Sequence, residues 1–232
     1  MSQVSFEISV SMDGYVAGPN PTLDDPLGEG GEGLHEWVVA LRSWREPHGR
    51  EGGETGPEDD AFRERVERIG ATVMGRRMYS GGAGPWEDDP KASGWWGDDP
   101  PFHHPVFVVT HHARDDRPME GGTTFSFVTE GIEAAVRRAV EAAGGKDVAI
   151  AGGADVAQQC LRAGLLDEIC LHVAPVFLGG GTRLFDGTPR RPGAPCEREG
   201  ERVLRRRPPH LLGRQLRLGA SPDGPRTLAR PR

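Results

Sequence analysis

Residues 148–164 read VAIAGGADVAQQCLRAG, and this stretch decides the fold. Residues 148–151 are a short apolar run of the buried-strand type, and Gly152-Gly153 breaks it. Residues 154–163 then read as a helix, which Gly164 caps. A strand that turns through paired glycines into a helix needs a further strand to return to, and residues 169–177 supply it. Leu178-Gly179-Gly180-Gly181 behind that strand reads as a hairpin-forming loop. The same alternation runs upstream. Residues 131–144 form a helix with Ile132, Ala135, Val136 and Val140 facing inward, and residues 105–110 (PVFVVT) form a buried strand. Residues 123–128 are a weaker strand, and residues 71–74 are a strand running into Gly75-Arg76-Arg77, where a helix begins. Strand–helix–strand–helix order predicts an α/β sheet with right-handed crossovers.

The first third of the chain is less regular. Residues 4–10 alternate through Val4, Phe6, Ile8 and Val10 and end at the turn Met12-Asp13-Gly14. Residues 18–33 hold three prolines and five glycines, which predicts a long loop. Leu34, Trp37, Val38, Leu41 and Trp44 recur at helical spacing, so residues 34–44 are expected to form an amphipathic helix. Pro57 and the acids at 58–60 open a short helix with Phe62, Val66 and Ile69 on one face. Residues 81–101 form a second breaker-rich loop.

Composition narrows the function classes. A chain of 232 residues can bury one core, and no apolar run reaches the 18 or more residues of a membrane span. The start of the chain lacks a signal-peptide pattern, so a cytoplasmic protein is expected. Cys160, Cys170 and Cys196 are odd in number and widely spaced, and they read as buried hydrophobes. Residues 187–232 carry 12 Arg against 4 acids, so the body is acidic and the tail basic. The tail arginines lack interleaved aromatics and the body would repel a phosphate backbone, which argues against a nucleic-acid partner. The pairs His103-His104 and His111-His112 have no further ligands at useful spacing, so no metal site is expected. No GxSxG elbow supports a serine hydrolase.

Two strand-to-helix turns carry the candidate chemistry: Val73-Met74-Gly75-Arg76-Arg77 and Ile150-Ala151-Gly152-Gly153-Ala154. Glycine at a helix mouth lets backbone amides approach a phosphate, and two mouths on neighbouring strands could hold the two ends of a dinucleotide. The alternative is that each glycine only permits tight helix–sheet packing. The GxGxxG fingerprint after the first strand is absent.

These turns stand in order with Ser11-x-Asp13-Gly14, Val108-Val109-Thr110, Asp167-Glu168-Ile169 and Pro175-Val176-Phe177-Leu178-Gly179-Gly180-Gly181. The ordered set resembles the dihydrofolate reductase superfamily. Within it, the chain is most similar to the branch of the riboflavin-biosynthesis deaminase-reductase's reductase domain and its single-domain relatives. The resemblance covers roughly residues 3–187. It implies a three-layer dihydrofolate reductase-like α/β fold, with a mixed, mostly parallel sheet and an antiparallel C-terminal hairpin. Residues 1–218 would then be one domain, with strands at 201–206 and 211–218, and residues 219–232 a disordered basic tail. It also implies NADPH as hydride donor and a small heterocyclic or ribose-derived substrate bearing a C=N or C=O group. Pairing into a homodimer would follow family habit. No deaminase zinc motif is present.

Carried over by motif, Gly75, Arg76 and Arg77 match the first cofactor turn, Thr110 and His111 the turn beside the adenosine ribose, and Gly152, Gly153 and Ala154 the pyrophosphate turn. Val16 and Ala17 stand at the loop that closes on the nicotinamide. Arg76, Arg77 and Arg114 are the nearest cations for a 2′-phosphate. Asp13 matches the acid at the end of the first strand. There it would orient a heterocycle or supply a proton, or else bond its own turn. Glu36 has no secure register with the folate-recognising acid, which argues against folate. Trp37 and Trp86 are candidate walls for a planar substrate, or else pack their loops onto the sheet. A non-catalytic nucleotide- or pterin-binding module on the same fold is the alternative function.

Overall fold

The computed structural model describes residues 2–82 and 84–186. The expected strands at 201–206 and 211–218, the tail after 219 and Cys196 lie outside the described residues. The strands are β1 (Val4–Ser11), β2 (Tyr15–Ala17), β3 (Ile69–Gly75), β4 (Pro105–Val109), β5 (Arg117–Pro118), β6 (Thr124–Val128), β7 (Asp147–Gly152), β8 (Glu168–Ala174) and β9 (Thr182–Arg183). The α-helices are α1 (Glu36–Val39), α2 (Arg42–Arg45), α3 (Pro57–Arg68), α4 (Arg76–Ser80), α5 (Ile132–Ala142) and α6 (Ala154–Ala163). Seven strands form one sheet in the order β5-β6-β4-β3-β7-β1-β8. All its pairings are parallel except the antiparallel β5–β6 edge. β2 and β9 form a separate antiparallel pair.

Period-2 alternation sorts the strands into two faces. Phe6, Val10, Val73, Phe107, Val148 and Ile150 point to the layer of α5 and α6, where Ala135, Ala139, Val156, Ala157 and Cys160 close the main core. Met74, Val106, Val108, Phe125 and Phe127 point the other way and pack with Tyr79 in a second cluster. Phe6, Val73, Val106 and Val148 are fully buried, and each such side chain contributes about 2 kcal/mol of transfer free energy. No helix of the described residues is long and apolar enough to cross a membrane.

Four expectations need correction. The helix expected over 34–44 is split into α1 and α2, because Leu41 is extended and buried. The backbone there pairs instead with Glu54, through Arg42 N–H to Glu54 O at 2.9 Å and Glu54 N–H to Ala40 O at 2.7 Å. α3 does not bury its apolar face: Val66 is 45% exposed, and the buried residue is Asp59, whose carboxylate accepts the Ser43 amide at 2.7 Å. Val140 lies at the edge of the α5 stripe and is exposed. The strand expected to reach 177 ends at Ala174, and Phe177 is 73% exposed beyond it.

Candidate active site

β3 and β7 are neighbours, yet the chain leaves them in opposite directions, from β3 through α4 to β4 and from β7 through α6 past β1 to β8. In an open α/β sheet such a reversal leaves a crevice at the carboxyl ends of the strands, where ligands bind. The two glycine turns sit at this point, with Met74 paired in register to Gly152.

The two turns differ. A Cβ built on Gly75 would lie 3.0 Å from Val156 Cγ2 and 3.7 Å from Gly152 O. Gly75 has ordinary extended dihedrals, so its glycine serves the close approach of α6 to β3. At Gly153 a Cβ would meet nothing within 4 Å among the described residues, and the residue is exposed. Gly152 has a φ of +120°, and the Gly152–Gly153 peptide is cis. α6 starts at Ala154 with no side-chain cap, so its first-turn amides face outward without an internal partner. Asp155, in that turn, directs its carboxylate down the helix to Gln159 Nε2 at 2.7 Å. A shallow depression beside this mouth is lined by Ala154, Asp155, Gln158, Gly181, Thr182, Arg183 and Asp186.

Asp13, in the turn after β1, accepts the Gly179 amide at 2.7 Å and the Leu178 amide at 3.2 Å. The Ser11 hydroxyl, followed by these amides, holds its carboxyl down to about 2. The group is therefore a permanent acceptor at neutral pH, an arrangement suited to orienting a donor and poorly suited to giving up a proton. Arg183 Nη2 meets Tyr15 Oη at 2.9 Å and its guanidinium lies 4.5 Å from the Tyr15 ring, which ties β2 to β9. Gly181 makes this possible: with φ +113° it passes so close to Ala17 O that a Cβ would lie 2.1 Å from it. Ala17 pairs with Thr182 in this ribbon, and Val16 is buried in the main core.

The β3–β4 side of the crevice is packed with its own side chains, although Arg76 Nε and Tyr79 Oη are buried without a partner among the described residues. Arg76 is buried, paired with Asp89 at 2.6 Å, bonded to Ser80 and stacked 3.5 Å from the Trp86 ring centroid. Arg114 covers the same indole at 4.8 Å and bonds Ala92 O, and Trp86 Nε1 donates to His112 O at 2.9 Å. Trp86 thus fastens the 81–101 loop to the exit of β4. Thr110 is buried, its Oγ1 accepting the His112 amide at 3.2 Å, while His111 and Arg77 are exposed. Trp37 stands elsewhere: it stacks on His172 of β8 at 4.0 Å and donates to Ser9 Oγ at 2.9 Å. In the sheet, β3 and β7 lie between the strands that the two tryptophans pack against. The structure brings together Gly75, Gly152, Gly153 and Ala154. It places Thr110 and His111 at the neighbouring β4 exit, and Asp13, Val16 and Ala17 at the β1 end.

Sequence reasoning missed Arg183 and Tyr15, which no motif marked. It also missed a group on the β1–β8 face, where Glu7, Cys170 and His172 converge. The Cys170-x-His172 spacing was a visible signal for two of the three.

The model of the family described as "RibD C-terminal domain" matches residues 2–199. No curated protein matches the chain. Among solved structures, a candidate riboflavin biosynthesis protein of Shewanella sp. PV-4 is 23% identical, with 79% of this chain and 82% of that one covered at a TM-score of 0.47. The diaminohydroxyphosphoribosylaminopyrimidine deaminase/5-amino-6-(5-phosphoribosylamino)uracil reductase of Thermotoga maritima is 13% identical at a TM-score of 0.47. The alignment covers 84% of this chain but only 52% of that protein, about half its length. The family match spans the crevice, both glycine turns and the Asp13 turn, and the chain belongs to the RibD C-terminal domain family, the oxidoreductase domain family of riboflavin biosynthesis.

Proposed function

We propose that the protein is an NADPH-dependent reductase that delivers hydride to a C=N or C=O group of a small heterocyclic, pterin- or pyrimidine-like, or ribose-derived substrate. The observation that carries this reading is the uncapped, open mouth of α6 at Gly153, set against the end of β3 in the crevice between β3 and β7. The donor set fits a dinucleotide: outward amides and a helix dipole for a pyrophosphate at Gly153 and Ala154, and the exposed Arg77 guanidinium for a 2′-phosphate. When bound, the nicotinamide supplies the hydride chemistry.

The remaining work falls to the chain's own residues. Asp13, held ionised, would accept hydrogen bonds from ring N–H groups of the substrate and fix its face, while the solvent supplies the proton. Thr110 and His111 would border the adenosine end at the β4 exit. Val16 and Ala17, fixed by the β2–β9 ribbon, would form the wall that excludes water.

A non-catalytic nucleotide- or pterin-binding module is the second reading, favoured by one observation: Trp37 and Trp86 are both engaged in internal stacking. NADPH oxidation, followed at the nicotinamide absorbance band across a panel of pterins, pyrimidines and ribose-derived carbonyls, separates the two. Saturable NADPH binding with turnover of at least one panel member is expected. Binding without turnover across the panel would favour the module, and no binding of NADPH or NADH would overturn both.

A further inference from the structure

The face of β1 and β8 turned away from α5 and α6 is unexpectedly polar. Phe6, Val10 and Ile169 serve the main core, while Glu7, Ser9, Ser11, Cys170 and His172 alternate with them on the opposite face. The strands of a parallel sheet covered on both sides are ordinarily apolar throughout, and buried polar groups are costly unless they are satisfied. Ser9, Ser11, Cys170 and His172 are all buried here, and Glu7 keeps one side open at 25% exposure. Parallel pairing puts Glu7 directly across from Cys170, and the two-residue step from Cys170 to His172 returns to the same face.

One ligand atom from each of Glu7, Cys170 and His172 lies within 4.8 Å of the other two. Cys170 Sγ and His172 Nε2 are 3.6 Å apart, and Glu7 Oε1 contacts the same Nε2. Tetrahedral zinc with Zn–S near 2.3 Å and Zn–N near 2.0 Å sets sulfur and nitrogen about 3.5 Å apart, as here, and oxygen and nitrogen about 3.3 Å apart, so the direct Glu7–His172 contact opens as the ion enters. We propose that Glu7, Cys170 and His172 form a binding site for a thiophilic divalent cation of the zinc type. The site lies midway along β1 and β8, below the strand ends that make the crevice.

The surroundings orient two of the ligands. Trp37 stacks on the His172 ring at 4.0 Å and an interplanar angle of 22°, and Arg65 of α3 bonds Glu7 Oε1, the same oxygen that contacts His172. Such outer contacts fix ligand rotamers. Thiolate and carboxylate bring two negative charges to the dication, the carboxylate being shared with the Arg65 guanidinium, and the Cys170 proton is released to solvent as the metal enters. The imidazole then carries its hydrogen on Nδ1, leaving the Nε2 lone pair for the metal. A thiolate, imidazole and carboxylate set favours zinc over magnesium or calcium, and the described residues supply three of the four ligands of a tetrahedral site.

The test is titration of the metal-stripped full chain with Co²⁺ and then Zn²⁺. One cobalt per chain with a sulfur-to-cobalt charge-transfer band is expected, and zinc should displace it. The band should vanish in Cys170→Ser and persist in a Cys160→Ser, Cys196→Ser double variant. His172→Gln and Glu7→Gln should each weaken binding by at least about tenfold, since even outer-shell losses cost that much. Zinc should raise the melting temperature of the wild type and leave that of folded Cys170→Ser unchanged. Absence of the band in wild-type protein with native circular dichroism would overturn the proposal, as would its survival in Cys170→Ser.

Discussion

The Gly75 turn and the Gly152-Gly153 turn look alike in sequence, each a strand ending in glycine at the mouth of a helix, and they do different work. At Gly75 the missing side chain makes room for Val156, and the residues that follow are bound up with one another: Arg76 with Asp89, Ser80 and Trp86. At Gly153 no atom of the described residues stands within 4 Å of where a Cβ would be, and the helix behind it has no side-chain cap among them. One wall of the crevice is filled by its own side chains, with Arg76 Nε and Tyr79 Oη buried without a partner among the described residues, and the other turns helix amides toward whatever enters. A shared glycine signature therefore does not imply a shared role; what surrounds the absent Cβ decides it.

The contrast can be attacked from the packed wall first. Arg76→Met should leave Asp89 buried without its cation and cost about 3 kcal/mol, read as a lowered midpoint in urea unfolding. A loss below about 1 kcal/mol would mean that the wall is not held by this pair. Gly75→Leu should overpack Val156 and cost about 2 kcal/mol by the same measurement, with cofactor affinity following only as far as folding is lost.

The same half of the sheet, at the opposite end of β4 from the crevice, also predicts a pH dependence. His104, bonded to Thr72 of β3 at 2.8 Å, has its pKa lowered to about 4 by burial and then by the neighbouring His103. A depressed histidine binds its proton in the unfolded state first. Its stabilisation is complete above about pH 6.5 and drains away as the pH falls toward 4, by roughly 1–2 kcal/mol after allowance for solvent screening. Stability profiles of wild type and His104→Gln should converge toward pH 4, and a variant as steep as wild type across that window would refute the assignment. The smallest structural effect is expected on the open wall. Asp13→Asn keeps the turn's shape but removes the permanent charge, so turnover should fall about tenfold or more while the melting temperature moves little. Unchanged turnover would confine Asp13 to the turn.

How far these roles were legible follows from how local their causes are. Residues 148–164 showed strand, break and helix because each depends on neighbours within a few positions, and the ordered motifs carried the family. The 34–44 segment misled because Leu41 takes its backbone partner from Glu54, a contact no helical periodicity announces. The distinction between Gly75 and Gly153 depends on where α6 packs, and the Glu7–Cys170–His172 group depends on the register of β1 against β8. The alternation of Glu7, Ser9 and Ser11 with apolar residues was visible, but its partners across the sheet were not. Trp86 was legible as a loop residue that must cover something; that Arg76 and Arg114 flank it required the fold.

The central claim is that the open mouth at Gly153 receives the dinucleotide's pyrophosphate, and a single substitution addresses it directly. A Cβ at Gly153 meets nothing within 4 Å among the described residues, so Gly153→Asp should fold with a melting temperature close to wild type while placing a carboxylate where the anion would sit. In a fluorescence titration with NADPH, the account predicts that this variant binds at least about tenfold more weakly than wild type, in line with a charge conflict of 1.4 kcal/mol or more. An NADPH affinity equal to wild type in a folded Gly153→Asp protein would contradict it.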